Sequence, residues 1–240
     1  MKSILICGVG SIGKRHIENF SKFFDNIDIV DTNPKRIKES LRRYKIRNFY
    51  SSAHKALSDQ EYDAVVIATP PHTHQSIAKK VIEKKTNLFI EKPLGMHAKG
   101  WKKLHNICKQ KKLIAYIGYC HRLIPYTITL KKLIKSKIIG KIVHANLRWG
   151  SYLPDWHPWE NYKNFYMSKK NQGGGALRDE SHGIDLVRYI IGEVDKVSAM
   201  IDNTSKLQMT SDDAAFLTLK MKNGSLIQIN FDLSSRFPRI

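Results

Sequence analysis

Lys92 stands between Glu91 and Pro93 at the end of a short apolar run, Asn87 to Ile90. A lysine amine set at the end of a strand can hydrogen-bond a ligand and take part in proton transfer, provided a reactive group lies beside it. The spacing of Gly8, Gly10 and Gly13, G-x-G-x-x-G, points to what that group is. Such a match means little without its structural context, and here the context is present. Ser3 to Cys7 is an apolar run of the kind a buried parallel strand shows, and Ile12 to Phe24 carries apolar residues at roughly helical spacing. Gly8 permits a tight turn, Gly10 lets a pyrophosphate approach the backbone, and Gly13 lets the helix pack close to the strand. Ser11 and Ile12 open the helix with their N–H groups towards the phosphates. Asp31 ends a second strand eighteen residues after Gly13, where an acid would hydrogen-bond an adenosine ribose. The alternative is a glycine-rich turn in an unrelated α/β protein, with Asp31 capping the helix that starts at Pro34. An acid at Asp31 favours NAD because it would repel a 2′-phosphate, while Lys35 and Arg36 close behind it leave NADP open.

The elements that must position these residues alternate. Strands are predicted over Ala64 to Ala68, Asn87 to Ile90 and Leu113 to Gly118, and helices over Pro71 to Lys84 and Met96 to Gln110. This order predicts an α/β fold, a Rossmann doubly wound parallel sheet, over residues 1–120. Ligands of such sheets bind beyond the carboxyl ends of the strands. The loops at Thr69-Pro70 and Glu91-Lys92-Pro93 should therefore flank the nicotinamide half of the cofactor, with His74 at its edge or bracing the loop. The pattern changes near Tyr119. A helix from Pro125 to Ile139, a strand from Lys141 to Tyr152, a helix opened by Gly173 to Gly175 and ending near Ile191, and three further strand-like stretches follow. Residues 121–240 are expected to form an α+β domain with an open, mostly antiparallel sheet.

Composition bounds the function classes. The net charge of +20 invites a nucleic-acid hypothesis. The basic residues are mostly lysines scattered over helix faces, without an aromatic ladder or a basic tail, so a solvated surface is the better reading and no nucleic-acid partner is expected. Cys7, Cys108 and Cys120 form no C-x-x-C pair, which points to a reducing compartment and to neither disulfides nor zinc. Asp155, His157 and Glu160 have no metal-ligand spacing either, so no metal is expected. No signal peptide or membrane span is read, and the expected location is cytoplasmic.

Several motifs in one order resemble the glucose-fructose oxidoreductase, inositol dehydrogenase and MocA (Gfo/Idh/MocA) family of NAD(P)-dependent sugar oxidoreductases. They are Gly8 to Gly13, Asp31 to Pro34, Ala68 to His74, Glu91 to Leu94, Gly118-Tyr119 with Arg122 and Pro125, and Gly173 to His182 running on to Asp185. The stretch Asp155 to Tyr162 is similar to a subgroup associated with modified surface-sugar pathways. The resemblance implies hydride transfer between nicotinamide and a hydroxyl or keto carbon of a sugar, nucleotide sugar or polyol. It implies that Lys92 hydrogen-bonds cofactor and substrate, that His182 shares the hydroxyl proton, and that Asp179 orients that imidazole or holds a sugar hydroxyl. Asp185, one helical turn beyond His182, would act likewise, Arg122 would meet an anionic substrate group, and Trp159, like Trp156, would stack on a sugar ring or pack the protein. Asp179 precedes His182 by three positions where most members have four, and Cys120 stands where Asn is common. Members usually continue well beyond Ile240, so the second sheet is expected to be incomplete: either the chain is truncated, or it is a shortened member whose sheet is covered by a partner subunit, and since members often dimerise through this face a homo-oligomer is expected. The alternative reading is a cofactor-binding protein that has lost turnover and serves a regulatory or interaction role.

Overall fold

The computed structural model describes residues 1–158 and 160–236. The chain divides into two compact units, Met1–Gly118 and Tyr119–Ile240.

In the first unit, six strands alternate with five helices: β1 (Ser3–Cys7), α1 (Ser11–Phe20), β2 (Asn26–Val30), α2 (Pro34–Arg43), β3 (Asn48–Tyr50), α3 (Ala53–Asp59), β4 (Ala64–Ile67), α4 (Pro71–Glu83), β5 (Asn87–Ile90), α5 (Trp101–Gln110) and β6 (Ala115–Ile117). All pairings are parallel, in the order β3-β2-β1-β4-β5-β6, the strand order of a Rossmann sheet. The alternation of β1 explains the layering. Leu5 and Cys7 turn to one face and pack with Ala56, Leu57, Val81 and Leu104 from α3, α4 and α5. Ile4 and Ile6 turn to the other and pack with Ile17 of α1 and with Ile27 and Ile29. All four strand residues are fully buried, each isoleucine or leucine burial being worth roughly 1.5–3 kcal/mol. Burial also pushes the Cys7 thiol up to about 12, so this cysteine is a core residue with no thiolate chemistry.

Within the sheet, Asp28 of β2 is fully buried. Its carboxylate accepts from Arg47 Nε and Nη2 (2.9 and 2.8 Å) and from Tyr62 Oη (2.8 Å). These partners overcome the opposing effect of burial and hold the Asp28 carboxyl below its usual range.

The second unit contains α6 (Pro125–Lys135), β7 (His144–Gly150), α7 (Ala176–Asp179), α8 (His182–Ile190), β8 (Val194–Asp202), β9 (Ala214–Met221) and β10 (Leu226–Asp232). Its sheet has the order β7-β10-β9-β8. β9 pairs antiparallel with both β8 and β10, whereas β7 and β10 are parallel, so the sheet is mixed with antiparallel pairings in the majority. Leu217, Leu219, Met221, Ile227, Ile229 and Phe231 alternate onto one face and form its core with Val187 of α8. β8 is an edge strand, exposed from Asp195 to Asp202. Its Val197 and Ile201, opposite Leu219 and Ala215 in the register, are 62% and 46% exposed.

Several helix boundaries differ from the sequence expectation: α1 stops at Phe20 and not Phe24, and three later helices differ as well. α5 starts at Trp101 and not Met96 because Gly100 is left-handed (φ 88°) and cannot lie within a helix. α6 stops at Lys135, two residues before left-handed Lys137 (φ 59°). The expected single helix after the glycine run is two, α7 and α8, separated at Glu180 and Ser181. Among the described residues no helix is long and apolar enough to cross a membrane.

Candidate active site

The glycine turn joins β1 to α1 as its spacing requires. Gly8 is left-handed (φ 89°), and a Cβ there would lie 2.5 Å from the Ala68 carbonyl oxygen. A Cβ on Gly13 would lie 1.8 Å from the Gly8 oxygen, so strand and helix touch at this point. Gly10 differs: its nearest neighbour would be the Arg36 guanidinium at 3.9 Å, which leaves open space above the turn. Ser11 and Ile12 form the first turn of α1, both exposed, where backbone N–H groups lack intrahelical acceptors. An open cradle with free donors fits a pyrophosphate.

Asp31 is 7% exposed. Its Oδ2 accepts from Val9 N (2.9 Å) and its Oδ1 from Asn33 N (2.8 Å). The cap of α2 is Asn33, whose side chain accepts from Lys35 N, so Asp31 is not the helix cap. It ties the end of β2 to the glycine turn, and a carboxylate has further lone pairs for ribose hydroxyls.

Lys92, half-buried, follows β5, and its peptide bond to Pro93 is cis. Two neighbours placed at the cofactor loops, Glu91 and His74, make contacts that hold the protein together. The Glu91 carboxylate lies 2.7 Å from His16 Nε2 of α1 and accepts from Lys92 N at 3.2 Å. Its contact is thus with the glycine-turn helix. His74 is fully buried. Its Nε2 lies 2.7 Å from the Thr69 oxygen and its Nδ1 3.1 Å from the Pro93 oxygen, bracing the two expected cofactor loops against each other. Burial lowers the His74 pKa, outweighing the backbone carbonyls that raise it. Thr69 Oγ1 meets Thr73 Oγ1 at 2.6 Å, and Thr73 Oγ1 donates to the Pro70 oxygen, which fixes the start of α4.

In the second unit, His182 opens α8. Its ring lies 4.3 Å from that of His121 and 5.7 Å, edge-on, from Tyr119. Burial pushes the Tyr119 phenol up. His121 is also held by Trp149 at 5.1 Å. The ligand atoms of Cys120, His121 and His182 lie within 4.8 Å of one another, a grouping that the sequence reading did not foresee. Asp179 is buried on α7, accepting from Tyr166 Oη (2.6 Å) and Gly175 N (3.2 Å). Arg122 and Asp185, expected to make separate substrate contacts, form a bidentate ion pair through one guanidinium edge, Nε to Oδ2 at 2.7 Å and Nη2 to Oδ1. Trp159 lies outside the described residues.

Residues 2–119 match the Gfo/Idh/MocA oxidoreductase family, NAD-binding Rossmann fold, and residues 127–239 match its C-terminal domain. The chain belongs to the Gfo/Idh/MocA family. The levoglucosan dehydrogenase of Pseudarthrobacter phenanthrenivorans is 31% identical over 72% of this chain and 44% of its own length. The myo-inositol 2-dehydrogenase of Thermotoga maritima is 28% identical over 92% of this chain and 65% of its own. The chain thus spans about half to two thirds of these curated relatives. Among solved structures, the WlbA dehydrogenase of Bordetella pertussis, in complex with NADH and UDP-GlcNAcA, shares the fold. Its TM-score is 0.84 at 24% identity, covering 99% of this chain and 68% of that one.

Within this Gfo/Idh/MocA framework the residues present fit NAD: the Gly10 cradle, the first turn of α1 and the Asp31 acceptor. The residues missed by the sequence reading are His16 and His121. Each is a lone histidine in sequence, and only the fold gives it a partner.

Proposed function

We propose that this protein is an NAD-dependent dehydrogenase acting on a secondary hydroxyl of a sugar, nucleotide sugar or polyol. The observation that carries the reading is the Glu91-Lys92-Pro93 loop. It follows β5 at the carboxyl end of the parallel sheet and is tied to α1 of the glycine turn through His16. An amine held there on a fixed backbone suits a role at the reacting end of a bound dinucleotide.

In this reading Gly10, Ser11, Ile12 and Gly13 hold the pyrophosphate, Asp31 the ribose, and Thr69 and Pro70 the loop beside the reactive ring. Bound NAD supplies the hydride acceptor. Lys92 hydrogen-bonds the substrate hydroxyl and orients it, and His182 takes up the proton that leaves the oxygen as hydride leaves the carbon. Asp179 acts through the wall of the site, fixing Tyr166 and the Gly175 turn. Arg122 and Asp185 serve as a pair whose outer hydrogen-bonding capacity meets sugar hydroxyls. The relatives named for levoglucosan and inositol support a polyhydroxylated substrate. The open sheet face bearing Met200 and Phe216, 80% and 52% exposed, is assigned to a homo-oligomer, to be checked by sedimentation.

The deciding experiment is titration with NADH and with NADPH, followed by nucleotide fluorescence, with and without levoglucosan, inositols and nucleotide sugars. Binding of NADH that one of these compounds strengthens, together with turnover of that compound, supports the reading. A folded protein that binds neither nucleotide overturns it and favours an interaction role.

A further inference from the structure

We propose that Cys120, His121 and His182 form a binding site for a soft divalent cation, zinc in particular, and that the bound ion withdraws His182 from proton transfer. The second clause rests on the dehydrogenase reading above; the first does not. One thiol and two imidazoles are the ligand types zinc selects, and their ligand atoms already lie within 4.8 Å of one another. In a tetrahedral site such atoms stand about 3.3–3.6 Å apart. The set therefore has to close by about an ångström, a movement within the reach of side-chain torsions.

The surroundings favour that closure. Cys120 is exposed whereas Cys7 and Cys108 are buried, so Cys120 is the thiol an incoming ion meets. The rings of His121 and His182 are held against each other and flanked edge-on by Trp149 and Tyr119, which limits the torsional freedom lost on coordination. The neighbouring Arg122 is neutralised by Asp185, so its charge does not oppose a cation. Three protein ligands leave the fourth position to water or a small ligand. Coordination takes Cys120 as the thiolate, releases its proton to solvent, and uses the imidazole lone pair that His182 would otherwise offer to a proton.

Cobalt(II) is the probe, added stoichiometrically to the reduced, folded protein. The expected result is one equivalent bound, with a near-ultraviolet thiolate-to-cobalt charge-transfer band that zinc displaces. The band should vanish in Cys120→Ala, and the affinity should fall at least tenfold in His121→Ala. Circular dichroism establishes that both variants are folded. Absence of a band in the parent protein, or an unchanged band in Cys120→Ala, overturns the site. Zinc is then added to the turnover assay: loss of activity restored by a chelator supports the inhibitory role, while full activity at saturating zinc removes that clause. A protein without turnover would refute the dehydrogenase reading, and the cobalt band would still decide the metal site.

Discussion

Lys92 and His182 carry the proposed chemistry, and their substitution separates binding from turnover. Lys92→Ala is expected to lower kcat by about 100-fold or more, the usual worth of a positioned proton-transfer group, with the Kd for NADH nearly unchanged. Unaltered steady-state turnover would remove Lys92 from the mechanism. At Asp31 the carboxylate already accepts from Val9 and Asn33, yet it remains an acceptor for hydroxyls and a repellent for a 2′-phosphate. Asp31→Ala should weaken NADH more than NADPH, and equal losses in paired fluorescence titrations would take it off the ribose. The glycines were legible in sequence because their roles are set by backbone space alone. His74 was legible as a neighbour of the site or a loop brace, whereas Glu91 was legible as a neighbour but not as a brace. Their partners, such as His16, which lies 75 residues from Glu91, become visible only once β1 and β5 stand in one sheet.

Among the elements, the tie between α1 and the end of β5 is the most consequential. The His16–Glu91 contact is part-buried, and His16 also packs on Phe20 and Phe89. His16→Ala should cost about 1–3 kcal/mol, since it leaves a part-buried carboxylate short of a donor. Glu91→Gln, which keeps an acceptor, should cost less. Denaturant midpoints compare the two, and equal losses would show that the charged Glu91 acceptor, which Gln lacks, and not the packing of the His16 ring carries the tie. The parallel strands were readable because burial on both faces makes them continuous apolar runs. β3 and α3 were not: Phe49 is 56% exposed and β3 pairs over three residues at the sheet edge, so no apolar run marks it. Apolar spacing likewise extends through residues 96–100 and 136–139, and it is left-handed Gly100 that delays the start of α5 and left-handed Lys137 that limits the end of α6.

For the whole molecule, acid acts through two buried groups. Asp28 has its pKa lowered in the folded state, so its contribution is present above the ordinary value of 3.8 and is lost as pH falls through the depressed one. His74 is also lowered, by burial. Below its ordinary 6.5 the unfolded chain takes up a proton that native His74 resists, and stability again falls with falling pH. Tm should therefore decline from pH 7 downwards in two stages, the upper stage absent in His74→Gln if that variant folds. A flat Tm between pH 7 and pH 5 would refute the His74 contribution. The edge strand β8 has a different consequence. Its outer backbone edge, unpaired among the described residues, and its exposed Val197 and Ile201 are a template for pairing with another strand, while a net charge of +20 keeps like molecules apart. Raising ionic strength shortens the range of that repulsion to about 3 Å at 1 M salt without weakening strand pairing. The protein is accordingly expected to grow cloudier in concentrated chloride, the reverse of ordinary salting-in, and light scattering across a salt series would reveal it.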